Sequence, residues 1–167
     1  SFNQNFCSLF IVTDLDGTFL SSQRSVPPLN LHTLNLLGEK SILRVIATGR
    51  SLVHVEQVLP PPLPIDYLIC SSGTGIIEWK SKKLLVSHHL DTPQIQYITH
   101  VLKENELDFT LHAPVPESHR FMYYRTGKEN PDFENRCRRN HNFCAPLAKE
   151  HPPQASQIVV GAFPSVG

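Results

Sequence analysis

The apolar run Leu9-Phe10-Ile11-Val12 passes straight into Asp14-Leu15-Asp16-Gly17-Thr18. A short apolar run closed by a glycine turn reads as a buried strand. Its carboxyl end carries two acidic residues spaced to point the same way. In a parallel α/β sheet, ligands sit outside the carboxyl ends of the strands. Two carboxylates there form a cation site, and one of them can attack an electrophile. Asp and Gly also close ordinary tight turns, so the pentapeptide alone admits a structural reading. A calcium loop is poorly supported. Its fifth and twelfth positions call for Asp or Asn and for Glu, and this chain has Thr18 and Ser25 there.

A second segment, Val45-Ile46-Ala47-Thr48-Gly49-Arg50-Ser51, repeats the arrangement of apolar strand, hydroxyl, glycine and helix start. Thr48 offers a hydroxyl at a strand end, and Gly49 permits close approach of backbone to a ligand. Ser51 or Arg50 opens a helix whose apolar positions Leu52, Val55 and Leu59 recur at helical spacing. Helix N-termini favour anions. A third strand, Tyr67–Cys70, ends in Ser71-Ser72-Gly73-Thr74-Gly75. In a parallel sheet this polar end lies beside the other two. It reads equally as part of a ligand site and as a tight turn.

The first two segments resemble motifs I and II of the haloacid dehalogenase-like hydrolases, a superfamily dominated by magnesium-dependent phosphatases. The third is similar to the Ser-x-Gly-Thr-x-Ile stretch of its sucrose-phosphate-phosphatase-like members, and departs from the Asn-Gly-Ala of Cof-type members. The resemblance implies an α/β fold: a Rossmann-like parallel sheet core over residues 1–87, incomplete here, and an α+β cap of the C2B type over 88–167.

Composition fits a soluble globular chain. Of 167 residues, 40% are hydrophobic, and 15 basic residues balance 15 acidic ones. That balance argues against a nucleic-acid partner, which needs a basic face. No stretch approaches membrane-spanning length, and no basic n-region of a signal peptide opens the chain. Cys7, Cys70, Cys137 and Cys144 do not form a secreted framework. The expected compartment is therefore cytoplasmic. Cys137, His141 and Cys144 match no common zinc spacing and lack a fourth ligand nearby, so buried thiols are the reading.

Along the chain, the pattern predicts a strand over Leu9–Thr13, a flap, a helix over Pro28–Lys40 buried through Leu34 and Leu37, a strand over Ile42–Ala47 and a helix over Ser51–Leu59. Pro60 to Pro64 form a stiff connector. Ile76, Ile77, Trp79 and Leu84–Val86 suggest a hairpin turning at Lys80–Lys83. Past His88-His89, Thr92 reads as an N-cap with Pro93 at the first helical position. Ile95, Ile98 and Leu102 then mark a helix. Strands Phe109–His112 and Phe121–Tyr124, a helix Pro131–Asn140 and a strand Gln157–Val160 follow. That order fits helices on one face of an antiparallel sheet. Arg136, Arg138, Arg139 and His141 form a basic cluster, either a solvated face or an anion clamp.

By resemblance, Asp14 is the nucleophile that forms an aspartyl-phosphate, and Asp16 is the general acid and base. Their environments must then hold their pKa values apart. Mg²⁺ binds Asp14 and the backbone carbonyl of Asp16. Thr48 and the backbone N–H groups at Leu15, Gly17 and Thr18 hold the phosphoryl oxygens. Gly49, Arg50, Ser72 and Gly73 complete the substrate-binding set. The basic motif III and acidic motif IV of the superfamily are not found before Gly167. The expectation is an N-terminal part of a larger enzyme, weakly stable and nearly inactive alone. The implied partner is a small phosphorylated metabolite, most plausibly a sugar phosphate. A phosphomutase, or a binding module without motifs III and IV, are the alternatives, and nothing in the sequence fixes the oligomeric state.

Overall fold

The computed structural model describes residues 9–59 and 62–161, so Cys7, Pro60, Pro61 and Phe163 lie outside the described residues. The chain divides into two compact units between Val86 and Ser87. The elements of the first are β1 (Phe10–Asp14), α1 (Pro28–Glu39), β2 (Leu43–Ala47), α2 (Leu52–Glu56), β3 (Tyr67–Cys70), β4 (Gly75–Glu78) and β5 (Lys83–Ser87). The second holds β6 (Leu90–Asp91), α3 (Thr92–Glu104), β7 (Asp108–His112), β8 (Phe121–Tyr124), α4 (Pro131–Arg139), β9 (Cys144–Pro146), β10 (Gln154–Ala155) and β11 (Gln157–Gly161).

The first unit is a five-stranded sheet in the order β1-β2-β3-β4-β5. β1, β2 and β3 run parallel, and β4 turns back antiparallel along β3. The two crossovers contain α1 and α2, as parallel pairing requires. Pro27 and Pro28 start α1 with φ already set near the helical value. Leu34 is its buried residue, and Asn30 donates from Nδ2 to the Phe19 carbonyl at 2.8 Å. The centre of the unit is built from Leu15, Ile46, Val55, Leu68, Cys70 and Ile77, all at most 1% exposed. At the amino edge of the sheet, Arg44 forks onto Asp66, with its Nε on Oδ2 at 2.9 Å and its Nη2 on Oδ1 at 2.8 Å.

β1 departs from expectation. Its apolar run predicts a buried strand, yet Phe10 is 65% exposed and Ile11 and Val12 are each 46% exposed. The reason is position. β1 stands at the end of the sheet and, among the described residues, pairs with β2 alone. A central strand of a parallel sheet is covered on both faces and paired on both edges; an end strand has one edge open.

The second unit has a four-stranded sheet, β11-β7-β8-β9, and a two-stranded ribbon of β10 and β6. Ile95 of α3 packs with Phe109, Leu111 and Ala155 in its core, and Phe109 stacks on Tyr124 with ring centroids 5.2 Å apart. Two expectations change here. The N-cap of α3 is Asp91, not Thr92: Asp91 and Gln94 form a capping box, with the Gln94 N–H donating to Asp91 Oδ1 at 3.0 Å. The sheet is not wholly antiparallel, because β8 and β9 pair in parallel. α4 lies between them in sequence, so β8, α4 and β9 make a crossover unit. β9 has three residues and includes Pro146, too weak a signal to read from sequence.

Asp108 ties this unit together. It is fully buried at the start of β7. Its Oδ1 accepts from the Thr126 N–H at 2.8 Å and from the Thr126 hydroxyl at 3.0 Å, and its Oδ2 accepts from Asn130 Nδ2 at 3.0 Å. Asn130 in turn caps α4, its Oδ1 accepting from the Phe133 N–H at 3.3 Å. Gly161 ends β11 against this junction. A Cβ there would stand 2.8 Å from Phe133 Cδ2 and 3.2 Å from Asn130 Nδ2, so only glycine fits.

His151 links the 150s segment to α3, its Nε2 lying 2.9 Å from the buried Thr99 hydroxyl. Partial burial, and then Lys103 nearby, push its pKa below the usual 6.5. The folded state thus favours neutral imidazole. This contribution to stability is complete above pH 6.5 and is lost as pH falls from there through the folded pKa. His151→Gln should flatten that part of the stability profile. Denaturant unfolding of both proteins across the range checks it, and parallel profiles would refute it.

Candidate active site

The carboxyl ends of β1, β2 and β3 meet at one sheet edge. The β1–β2 register pairs Asp14 with Ala47, one residue before Thr48. β2 and β3 are joined past their strand ends, where the Thr48 N–H donates to the Ile69 carbonyl at 2.9 Å and the Ser72 N–H to the Thr48 carbonyl at 3.2 Å. The Ser71 N–H reaches the Arg50 carbonyl at 2.8 Å. These bonds fix the loops at 48–50 and 71–73 against each other.

After Asp14 the chain makes a wide turn over Leu15–Phe19, closed by the Leu20 N–H on the Leu15 carbonyl at 2.9 Å. Burial of Leu15 and Phe19 anchors the turn, while Asp14, Asp16, Gly17 and Thr18 stay exposed. Gly17 has φ +75°, a conformation glycine adopts without cost.

Asp16 and Arg50 form the dominant contact. Arg50 Nε donates to Oδ2 at 2.8 Å and Nη2 to Oδ1 at 2.7 Å, a bidentate fork. That fork holds the Asp16 carboxyl below its ordinary range, against a smaller opposing effect of burial. Asp16 is half exposed, so solvent screening limits the net stability of the pair to about 1 kcal/mol or less. Arg50→Gln should raise the Asp16 pKa back toward the ordinary carboxylate range. A carboxyl-resolved NMR titration reads this directly, and an unmoved Asp16 would reject the fork as the cause.

Thr48 is buried, and its Oγ1 accepts from the Arg50 N–H at 3.1 Å. Its hydroxyl hydrogen remains able to donate toward the edge. Gly49 is not forced by crowding here, since an added Cβ would lie 3.5 Å from Ser72 Oγ, an ordinary contact. Ser51, not Arg50, caps α2, accepting from the His54 N–H at 3.5 Å. α2 spans only Leu52–Glu56, shorter than the expected Ser51–Leu59, so little macrodipole is available there for an anion. Ser71, Ser72 and Gly73 take φ of 51°, 56° and 92°. Left-handed serines in succession are uncommon and cost energy, which the Arg50–Ser71 and Thr48–Ser72 bonds offset.

The structure therefore gathers Asp14, Asp16, Thr48, Gly49, Arg50, Ser72 and Gly73 at one edge. Two features escaped the sequence. Arg50, expected toward substrate or cap, is forked onto Asp16, 34 residues away. Ser71, fully buried, positions the Arg50 backbone; its place at the end of Tyr67–Cys70 was the available signal. Among the described residues no group of three or more His, Cys, Asp or Glu is placed to hold a metal ion.

A family model of haloacid dehalogenase-like hydrolases matches residues 11–159. The chain belongs to the haloacid dehalogenase-like hydrolases. Solved structures share the fold. A haloacid dehalogenase-like hydrolase from B. subtilis superposes with a TM-score of 0.65 at 17% identity, over 93% of this chain and 62% of that one. BT1666 from Bacteroides thetaiotaomicron, described among phosphatases of the superfamily, gives 0.63 at 17% identity, over 92% and 50%. The HAD subclass IIB sugar phosphatase BT4131 gives 0.56 at 14% identity, over 83% and 53%. This haloacid dehalogenase-like chain thus spans between half and about three fifths of the length of those proteins.

Proposed function

We propose that this chain carries the nucleophilic edge of a Mg²⁺-dependent phosphatase acting on a small phosphorylated metabolite, with a sugar phosphate as the class to test first. The observation that carries the reading is the convergence of Asp14, Thr48 and the Asp16–Arg50 fork at one carboxyl edge of the sheet.

Asp14 attacks phosphorus in line and becomes an aspartyl-phosphate as the phosphorus–oxygen bond to the leaving group breaks. The Thr48 hydroxyl and the N–H groups of the 15–18 turn hold the phosphoryl oxygens. Asp16 protonates the departing oxygen and then takes a proton from the attacking water. The Arg50 fork suits the second task, because it keeps Asp16 ionised. For the first, an anionic substrate competes for the guanidinium, the fork opens, and the Asp16 pKa rises.

The chemistry a Mg²⁺ ion would supply when held at this edge is neutralisation of the negative charge that builds up on the transferring group. The Asp16 carboxyl is held by Arg50 before substrate binds and is needed for proton transfer afterwards, so its backbone carbonyl is the donor we assign, together with the Asp14 carboxyl. Mg²⁺ retains water and substrate oxygens around one or two carboxylates, so this sparse oxygen set suits it. The cysteine pattern and charge balance favour a cytoplasmic setting.

The test is phosphate release from a sugar-phosphate panel by the full-length protein. Release that stops with chelator and returns with Mg²⁺ is expected. No release from any substrate, or release indifferent to chelator, would overturn the proposal.

A further inference from the structure

We propose that Cys137 and Cys144 are a reversible dithiol–disulfide pair, a redox modification site that ties the end of α4 to β9. The fold brings them together. Cys137 lies in the last turn of α4 and Cys144 opens β9. Between them the chain reverses tightly: the Asn140 N–H donates to the Cys137 carbonyl at 3.2 Å, and the Phe143 N–H to the Asn140 carbonyl at 2.7 Å. Cys144 Sγ then sits 3.5 Å from that same Cys137 carbonyl.

Both thiols are free and partly exposed, unlike Cys70, which is fully buried and whose pKa burial raises. Their thiols interact directly: partial burial, then the Cys144 thiol beside it, push the Cys137 pKa up, while Arg125 and Arg136 pull the other way. Reagents can reach the pair. Cys144 lines a cavity of about 460 Å³ with Phe121 and Phe143, and Cys137 lines a separate groove with Arg125 and Arg138. No third ligand turns the pair into a metal site. Among the described residues no such group of three exists, and His141 Nδ1 lies 3.2 Å from the Arg138 carbonyl.

The oxidant is a low-molecular-weight disulfide such as glutathione disulfide. Cys144, as thiolate, attacks one reagent sulfur, and one glutathione thiolate leaves. Cys137 attacks the Cys144 sulfur of that mixed disulfide, a new S–S bond forms, and the second glutathione leaves. Two electrons pass to the reagent, and the two thiol protons end on two glutathione thiols. The new bond needs a Cβ separation of about 3.5–4.5 Å, which the backbone sets, so it forms with a small shift of the short 140–143 turn and with χ1 rotations that face the two sulfurs.

The experiment equilibrates the full-length protein in reduced and oxidised glutathione buffers, alkylates remaining thiols and digests with trypsin. Cleavage after Arg136, Arg138, Arg139 and Lys149 leaves Cys137 and Cys144 on separate peptides. A cross-linked product of Cys137–Arg138 with Asn140–Lys149 is expected, reversed by reduction, with slower amide exchange in the last turn of α4. In Cys137→Ser, Cys144 should stop at the glutathione adduct. Two alkylated thiols under oxidising conditions, a persistent adduct on wild-type Cys144, or linkage to Cys70 or Cys7 would overturn the proposal. So would an unreactive Cys144 in Cys137→Ser.

Discussion

Asp14→Asn in the full-length protein should lower phosphate release by on the order of 10³-fold or more, with folding intact. The amide keeps the size and shape of the side chain and removes the carboxylate oxygen that would form the acyl phosphate. Asp14 is exposed at the end of β1, and its turn is anchored by the buried Leu15 and Phe19 instead. The substitution should therefore shift stability by less than about 0.5 kcal/mol. A loss of kcat with an unchanged unfolding midpoint is the expected combination. Turnover near the wild-type level would remove Asp14 from the chemistry. A parallel fall in activity and stability would assign it a structural role.

The largest effect on stability should come from Asp108→Ala. The buried carboxyl accepts from the Thr126 N–H, the Thr126 hydroxyl and Asn130 Nδ2. Removing it leaves three donors facing an apolar methyl group, the Asn130 amide buried and the two Thr126 donors half-buried. Unsatisfied buried donors cost about 1–3 kcal/mol each, and partial relaxation brings the expected total to about 3 kcal/mol. Asn130 loses the contact that orients it as the cap of α4, so the helix start should loosen as well. Asp108→Asn should recover part of the loss, because its Oδ1 can still accept both Thr126 bonds while its Nδ2 faces the Asn130 amide donor. Urea unfolding of the three proteins measures this. A loss below about 0.5 kcal/mol for Asp108→Ala would show that water or rearrangement satisfies the donors.

The site was legible where chemistry and strand ends coincide in sequence. Asp14-Leu15-Asp16 and Thr48-Gly49 each follow an apolar run, and a parallel sheet puts such ends side by side. The Arg50–Asp16 fork was not legible, because it joins two loops that meet only once β1 and β2 are in register. The exposure of β1 was hidden for a different reason. An apolar run has the same composition at the end of a sheet as in its middle, and neighbours decide which it is. The parallel pairing of β9 was missed because three residues with a proline carry almost no strand signal. The α3 cap was displaced by one residue, since Asp91 and Thr92 are both good caps and only the Gln94 side chain selects between them.

The open flank of β1 has a directional consequence. Its outward N–H and C=O groups form a rail five residues long that finishes at Asp14. Any extended segment laid along that rail brings one of its own tips beside the carboxylate: the trailing tip if it runs with β1, the leading tip if it runs against it. A segment that closes the sheet on this side would therefore place one of its ends beside Asp14.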